Sequence, residues 1–178
     1  MNISDFGAEL VQKLQTLSHI SLIAHKNPDG DAFGSLEGMR QLILANLPNL
    51  TVDVVVPKED FDTHVHWVMG ETVQTISEKT DLVILLDASL LTRTALPIEA
   101  FGGYDVFCID HHESFADSVS GYRDATASAT CLVLTEMAIA LNWQITREAA
   151  TALLMGIYTD TGGFIHRSTD IRSFSAAS

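Results

Sequence analysis

Residues 25–31 read His-Lys-Asn-Pro-Asp-Gly-Asp, placing one imidazole and two carboxylates within seven positions, with Pro28 and Gly30 to turn the chain. Carboxylates crowded this way repel one another and cannot all stay ionised without a cation. A divalent metal resolves the conflict. Asp29 and Asp31 lie two apart, so in an extended segment they point to one side and can serve adjacent ions. The simpler role for Asp31, N-cap of the helix that follows, is compatible with that chemistry.

Two more short apolar runs end in acid or imidazole residues. Residues 82–86 lead into Asp87, and residues 106–109 lead into Asp110, His111 and His112, just as residues 20–24 lead into His25. In open α/β sheets, ligands bind beyond the carboxyl ends of the strands. A single Asp at such a position usually opens a turn or caps a helix. Three strand ends that deliver Asp or His to one edge point instead to a site. A fourth piece is Gly156-Ile157-Tyr158-Thr159-Asp160-Thr161-Gly162-Gly163. There Ala150, Leu153, Leu154 and Ile157 form the expected buried stripe of a helix, and Asp160 continues nearly in line with Leu153. A carboxylate at that point is costly unless it is paired or bound to a cation, and the end of a helix disfavours negative charge.

The candidate ligands are therefore His25, Asp29, Asp31, Asp87, His111 and Asp160, flanked by Asp110 and His112. Carboxylate and imidazole without thiolate suit Mn²⁺ first, with Mg²⁺, Co²⁺ or Zn²⁺ behind it. So many ligands exceed the needs of one catalytic ion. They suit two ions ~3.5–4 Å apart with a shared carboxylate, the arrangement used for phosphoryl chemistry. Metal-assisted hydrolysis of a phosphate ester is the reaction class this favours.

The elements that must position these groups are readable from periodicity. Phe6, Leu10, Leu14 and Leu17 recur at helical spacing, as do the apolar residues of 32–47. Residues 51–56 form a β-branched strand closed by Pro57. Residues 59–69 are expected to be helical, with Glu59, Asp60 and Asp62 as favourable charge at its start. Two apolar helices follow at 127–141 and 147–159. Short, continuously apolar strands that alternate with helices predict an α/β fold, a mostly parallel sheet with helices on both faces. Residues 168–178 start polar and helix-like and reach the end without a closing element, so a boundary is expected near residue 170.

The chain has 178 residues, 47% of them hydrophobic, and a formal net charge of −13 from 23 acidic and 10 basic residues. One domain with an ample core fits that length. The acidity excludes a long, nonspecific nucleic-acid track such as duplex, because such binding needs clustered Lys and Arg. It leaves room for a small phosphate ester, since the carboxylates of Asp29, Asp31, Asp87 and Asp160 would be neutralised locally by two divalent ions. Cys108 and Cys131 sit in apolar runs and are expected to be buried free thiols. The first 18 residues lack a signal-peptide pattern and no run is long enough for a membrane span, so a cytoplasmic protein without a membrane partner is expected. His64 and His66 diverge on a helix and are expected on a solvated face. Trp67, Trp143 and Tyr122 are expected in or near the core.

HKNPDGDAFGS, LLDAS, CIDHHES and GIYTDTGGF, in that order, resemble the four motifs of the DHH family of phosphoesterases. Within it they are most similar to the bacterial oligoribonuclease (nanoRNase) and pAp phosphatase group, which act on very short RNAs and on 3′,5′-bisphosphorylated adenosine. Ala127-Ser128-Ala129-Thr130 also resembles that group, and the match spans residues 19–167. The resemblance implies a Rossmann-like catalytic domain over residues 1–167. It implies His25, Asp29 and Asp87 on one metal, and Asp31, Asp87, His111 and Asp160 on the other, with Asp87 bridging and a hydroxide between the ions as nucleophile. It implies that Asp110 orients its neighbours and that His112 contacts the substrate phosphate, as acid or as electrostatic clamp. Typical members carry a second, C-terminal domain that supplies basic groups. This sequence stops before it, so residues 168–178 are expected to begin a linker helix and substrate binding is expected to be weakened. Nearby cations are few: Lys26, Arg123 and Arg167. The implied partner is a short RNA or nucleotide phosphate ester, and a homodimer is left open. Inorganic pyrophosphatase, cyclic-dinucleotide phosphodiesterase and a catalytically idle metal-binding domain are the alternatives.

Overall fold

Leu82, Val83, Ile84, Leu85 and Leu86 are all buried, as a strand covered on both faces requires. In the computed structural model, which describes residues 2–60, 68–113 and 119–178, they form the central strand β3 (Leu82–Leu86). The other strands are β1 (His19–Ile23), β2 (Thr51–Val55), β4 (Asp105–Asp110) and β5 (Ser120–Arg123). All pair in parallel, in the order β2-β1-β3-β4-β5. The chain steps from β1 outward to β2, then returns to the opposite side of β1 for β3. Strand order reverses there, and a crevice opens at the carboxyl ends of β1 and β3.

The helices are α1 (Ile3–Leu14), α2 (Gly30–Asn46), α3 (Thr130–Ala140), α4 (Arg147–Asp160) and α5 (Ile171–Ala176). Ile20, Leu22, Leu82, Ile84 and Leu86 share one core with the buried residues of α1 to α4. The opposite face, Ile23, Val55, Val83, Leu85 and Cys108, meets Phe101 and Val119, and Leu91, Leu96 and Tyr104 pack against it. Short 3₁₀ turns at Leu91–Arg93 and Ile98–Phe101 help cover that face. The α/β class with a parallel sheet is thus as expected, whereas helices were expected on both faces and, among the described residues, the long helices pack on one face while short 3₁₀ turns and loops cover the other. Each fully buried Leu or Phe contributes roughly 1.5–3 kcal/mol.

The packing of α2 on α4 sets the distance between two motifs. A Cβ on Gly34 would lie 2.6 Å from the Ala152 carbonyl oxygen, and one on Gly38 would lie 2.6 Å from Leu153 Cδ2. Only glycine permits so close an approach. The expected stripe of α4 is corrected accordingly. The buried residues are Ala149, Ala152, Leu153, Gly156 and Ile157, while Ala150 and Leu154 face water. Small residues make this contact, and a stripe chosen for bulk misses them.

Strand β5 was not expected. Its Ser-Gly-Tyr-Arg sequence is polar and only half-buried, as an edge strand can be. Helix α5 begins later than the expected start at 168, capped by Asp170 in a capping box with Ser173. The Arg172 guanidinium ties it to Glu136 at 2.6 and 2.7 Å and to Asp124 at 2.6 Å. Of the helix expected over 59–69, a 3₁₀ turn at Lys58–Asp60 is seen, and His64, His66 and Trp67 lie outside the described residues. Trp143 and Tyr122 pack against the main core. Cys108 and Cys131 are free and buried. Among the described residues, no helix is long and apolar enough to cross a membrane.

Candidate metal centre

Each motif is carried to the carboxyl edge of the sheet by the element before it. His25 follows β1, and its Nδ1 lies 2.8 Å from the Lys26 carbonyl, which turns Nε2 inward. Asp87 follows β3 with φ of 56°, a left-handed conformation that Asp tolerates and that swings its carboxylate into the crevice. Asp110 closes β4, and its Oδ1 accepts the backbone N–H groups of His111 at 2.9 Å and His112 at 3.3 Å. That small turn presents both imidazoles on one side. Asp160 is the last residue of α4.

Asp29, and not Asp31, is the N-cap of α2: its Oδ1 accepts the N–H groups of Asp31 and Ala32, both at 3.0 Å. Asp31 lies in the first turn and is fully buried. The two acids therefore belong to a helix start, and they look toward different partners.

The side chains meet in overlapping groups. His25, Asp29 and Asp87 form one; Asp31, His111 and Asp160 form another; and Asp87 also groups with His111 and His112. Asp87 joins them, because Oδ2 lies 3.3 Å from His25 Nε2 while Oδ1 lies 3.5 Å from His111 Nε2. His111 Nε2 stands 3.3 Å from Asp160 Oδ2 and 3.9 Å from Asp31 Oδ2. All six candidate ligands are brought together, with Asp110 and His112 beside them.

The electrostatics call for a cation. Burial, followed by the charges of Asp87 and Asp160, pushes the Asp31 carboxyl well above its ordinary range. Burial also raises Asp160. Asp29 and then Asp87 push the His25 imidazole up to about 10, and His25 in turn holds Asp29 down at about 2. Among the described residues, the ion-pair partners of these carboxylates are imidazoles, with no Lys or Arg. Acids gathered around imidazoles, with Asp31 and Asp87 buried, are a donor set that a hard divalent ion accepts.

His112 is held differently. Its Nδ1 lies 2.8 Å from Asp110 Oδ1, and this contact raises the imidazole pKa. Burial opposes ionisation of Asp110, but the His112 ring outweighs it and leaves that carboxyl below its ordinary value. Nδ1 is thus engaged by Asp110, and Nε2 lies on the opposite side of the ring.

Residues 19–157 match the model of the DHH family, N-terminal domain. The chain belongs to the DHH family. This DHH chain is 29% identical over 173 residues to the bifunctional oligoribonuclease and PAP phosphatase NrnA of Mycoplasma genitalium, covering 95% of the chain and 54% of NrnA. It is 30% identical over 190 residues to the cyclic-di-AMP phosphodiesterase GdpP of Bacillus subtilis, covering 90% of the chain and 27% of GdpP. In fold it superposes on an exopolyphosphatase-related protein from Bacteroides fragilis with a TM-score of 0.81 at 21% identity, covering 97% of the chain and 54% of that protein. The DHH chain spans about half the length of the NrnA relative it matches.

Three contacts had escaped the sequence. Thr130 and Cys131 at the start of α3 donate their backbone N–H groups to Asp31, and the Thr130 hydroxyl donates to Asp87. A signal was present: the N-cap of α3 is Ala129, which has no side chain able to cap.

Proposed function

We propose that this DHH chain is the catalytic part of a metal-dependent phosphoesterase that hydrolyses short oligoribonucleotides, 3′,5′-bisphosphorylated adenosine (pAp), or both. One observation carries the reading: the two carboxylate oxygens of Asp87 face two separate ligand groups, His25 at 3.3 Å and His111 at 3.5 Å. On this reading His25, Asp29 and Asp87 hold one divalent cation, and Asp31, Asp87, His111 and Asp160 hold a second, with Mn²⁺ the preferred ion. When bound, such ions would activate water and neutralise the charge on the phosphoryl and leaving oxygens.

The chain's own residues do the rest. Asp87 sets the spacing of the two groups. Asp110 fixes the His112 ring through Nδ1, so that a protonated Nε2 contacts a phosphoryl oxygen and either stabilises its charge or donates a proton to the leaving oxygen. The likeness to NrnA, over nearly the whole chain, favours a short RNA or pAp. The likeness to GdpP favours a cyclic dinucleotide as the second reading.

The test is a substrate panel with Mn²⁺-loaded protein: pAp, a short RNA, cyclic di-AMP and pyrophosphate. Turnover of pAp or the RNA ahead of the others is expected, and Asp87→Ala abolishes it. Turnover of pyrophosphate alone, or full activity in D87A, overturns the proposal.

A further inference from the structure

We infer that Thr130 is a positioning residue that aims the carboxylate of Asp87 between its two ligand groups while its backbone steadies Asp31. The inference rests on the metal-centre reading above and deepens it. Thr130 is the first residue of α3 and is fully buried. Its hydroxyl donates to Asp87 Oδ1 at 2.9 Å and its N–H donates to Asp31 Oδ2 at 2.6 Å. One residue thus contacts two acids from different elements, 43 and 99 positions away.

Its behaviour differs from that of threonines elsewhere in the helices. Thr135, Thr151 and Thr159 each return the hydroxyl to a carbonyl four residues earlier in the same helix. At the first position of α3 that carbonyl does not exist within the helix, so the hydroxyl is available to cross to Asp87. A threonine hydroxyl has a single proton. Spending it on Oδ1 fixes the rotation of the carboxylate. Oδ1 is then kept toward His111, and Oδ2 toward His25, the orientation a shared carboxylate needs. Hydrogen bonds to carboxylate ligands of this kind typically change metal affinity by roughly 10–100-fold when removed.

The experiment is titration of metal-free protein with Mn²⁺ alone, followed by calorimetry, for wild type, Thr130→Val and Thr130→Ser. Valine keeps the branched shape and removes the proton; serine keeps the proton. T130V is expected to bind about 10–100-fold more weakly, with T130S within about threefold of wild type. Thermal melting in chelator checks folding, and Thr130→Ala replaces T130V if the valine variant does not fold. Equal affinity in T130V and wild type overturns the inference, as does a loss in T130S as large as that in T130V. Failure of the wild type itself to bind Mn²⁺ overturns the metal-centre reading, which is a separate result.

Discussion

The carboxylate of Asp31, in the first turn of α2, accepts the Thr130 backbone N–H at 2.6 Å, so α3 is capped by a side chain from another helix. The Cys131 N–H completes the cap at 3.0 Å on the other oxygen. Ala129 leaves these donors without a local acceptor, and the positive end of α3 favours the charge that burial opposes. Asp31 therefore joins two helices as well as facing His111.

Replacing Asp31 by Asn separates these roles. The amide oxygen still accepts one of the α3 donors and the repulsion with Asp87 and Asp160 disappears, but the amide NH2 then faces the other donor, and the two effects oppose each other. The metal-free melting temperature of D31N is expected to change little, while the Mn²⁺-induced rise in melting temperature shrinks. Paired thermal melts in chelator and in Mn²⁺ check this.

Gly156 tests the close packing that brings α4 to the site. An added Cβ would lie 2.2 Å from Cys131 Sγ and 2.7 Å from Asp31 Oδ1, and both residues are fully buried. Gly156→Ala is expected to destabilise by about 1–3 kcal/mol through overpacking. Because the clash pushes directly on Asp31, Mn²⁺ affinity falls as well. Chemical denaturation and metal titration read the two effects.

Asp110 and His112 are expected to act on turnover and not on metal content. Asp110→Asn loses the charged partner of the His112 ring, and His112→Gln loses the imidazole. Both should lower kcat, by roughly 10²–10⁴-fold for His112, with Mn²⁺ content unchanged by elemental analysis. Loss of metal along with activity would place these residues among the ligands.

The His25 and Asp29 pair predicts a pH dependence. In metal-free protein His25 is raised to about 10 from 6.5, so its contribution to stability is complete below about 6.5 and is lost as pH rises toward 10. Asp29 is lowered to about 2 from 3.8, so its contribution holds above 3.8 and is lost as pH falls through 2. Ligation at His25 Nε2 requires the ring's bound proton to leave. Mn²⁺ affinity should rise with pH across 6.5–10, with proton release detected as a buffer-dependent binding enthalpy.

Much of this was legible in the chain. His25, Asp87 and Asp110 each end a short apolar strand, and burial of both sheet faces makes such strands stand out. Ala129, a helix cap without a capping side chain, hints that α3 takes its cap from elsewhere, but that Asp31 supplies it was not legible, because the two residues are 99 positions apart and backbone donors carry no sequence signature. The α4 stripe was misread for a related reason. Ala152 and Gly156 contact α2 by being small, and hydrophobic bulk is a poor guide to that. Strand β5 takes its place from pairing with β4, which a polar Ser-Gly-Tyr-Arg segment does not announce.

On this reading Asp87 stands between two metal ions. Crystals grown with Mn²⁺ and measured at the manganese absorption edge test it directly. Two anomalous peaks ~3.5–4 Å apart are expected, one beside His25 and Asp29 and the other beside Asp31, His111 and Asp160, with Asp87 between them. A single peak, or peaks that leave Asp87 without a metal contact, would contradict it.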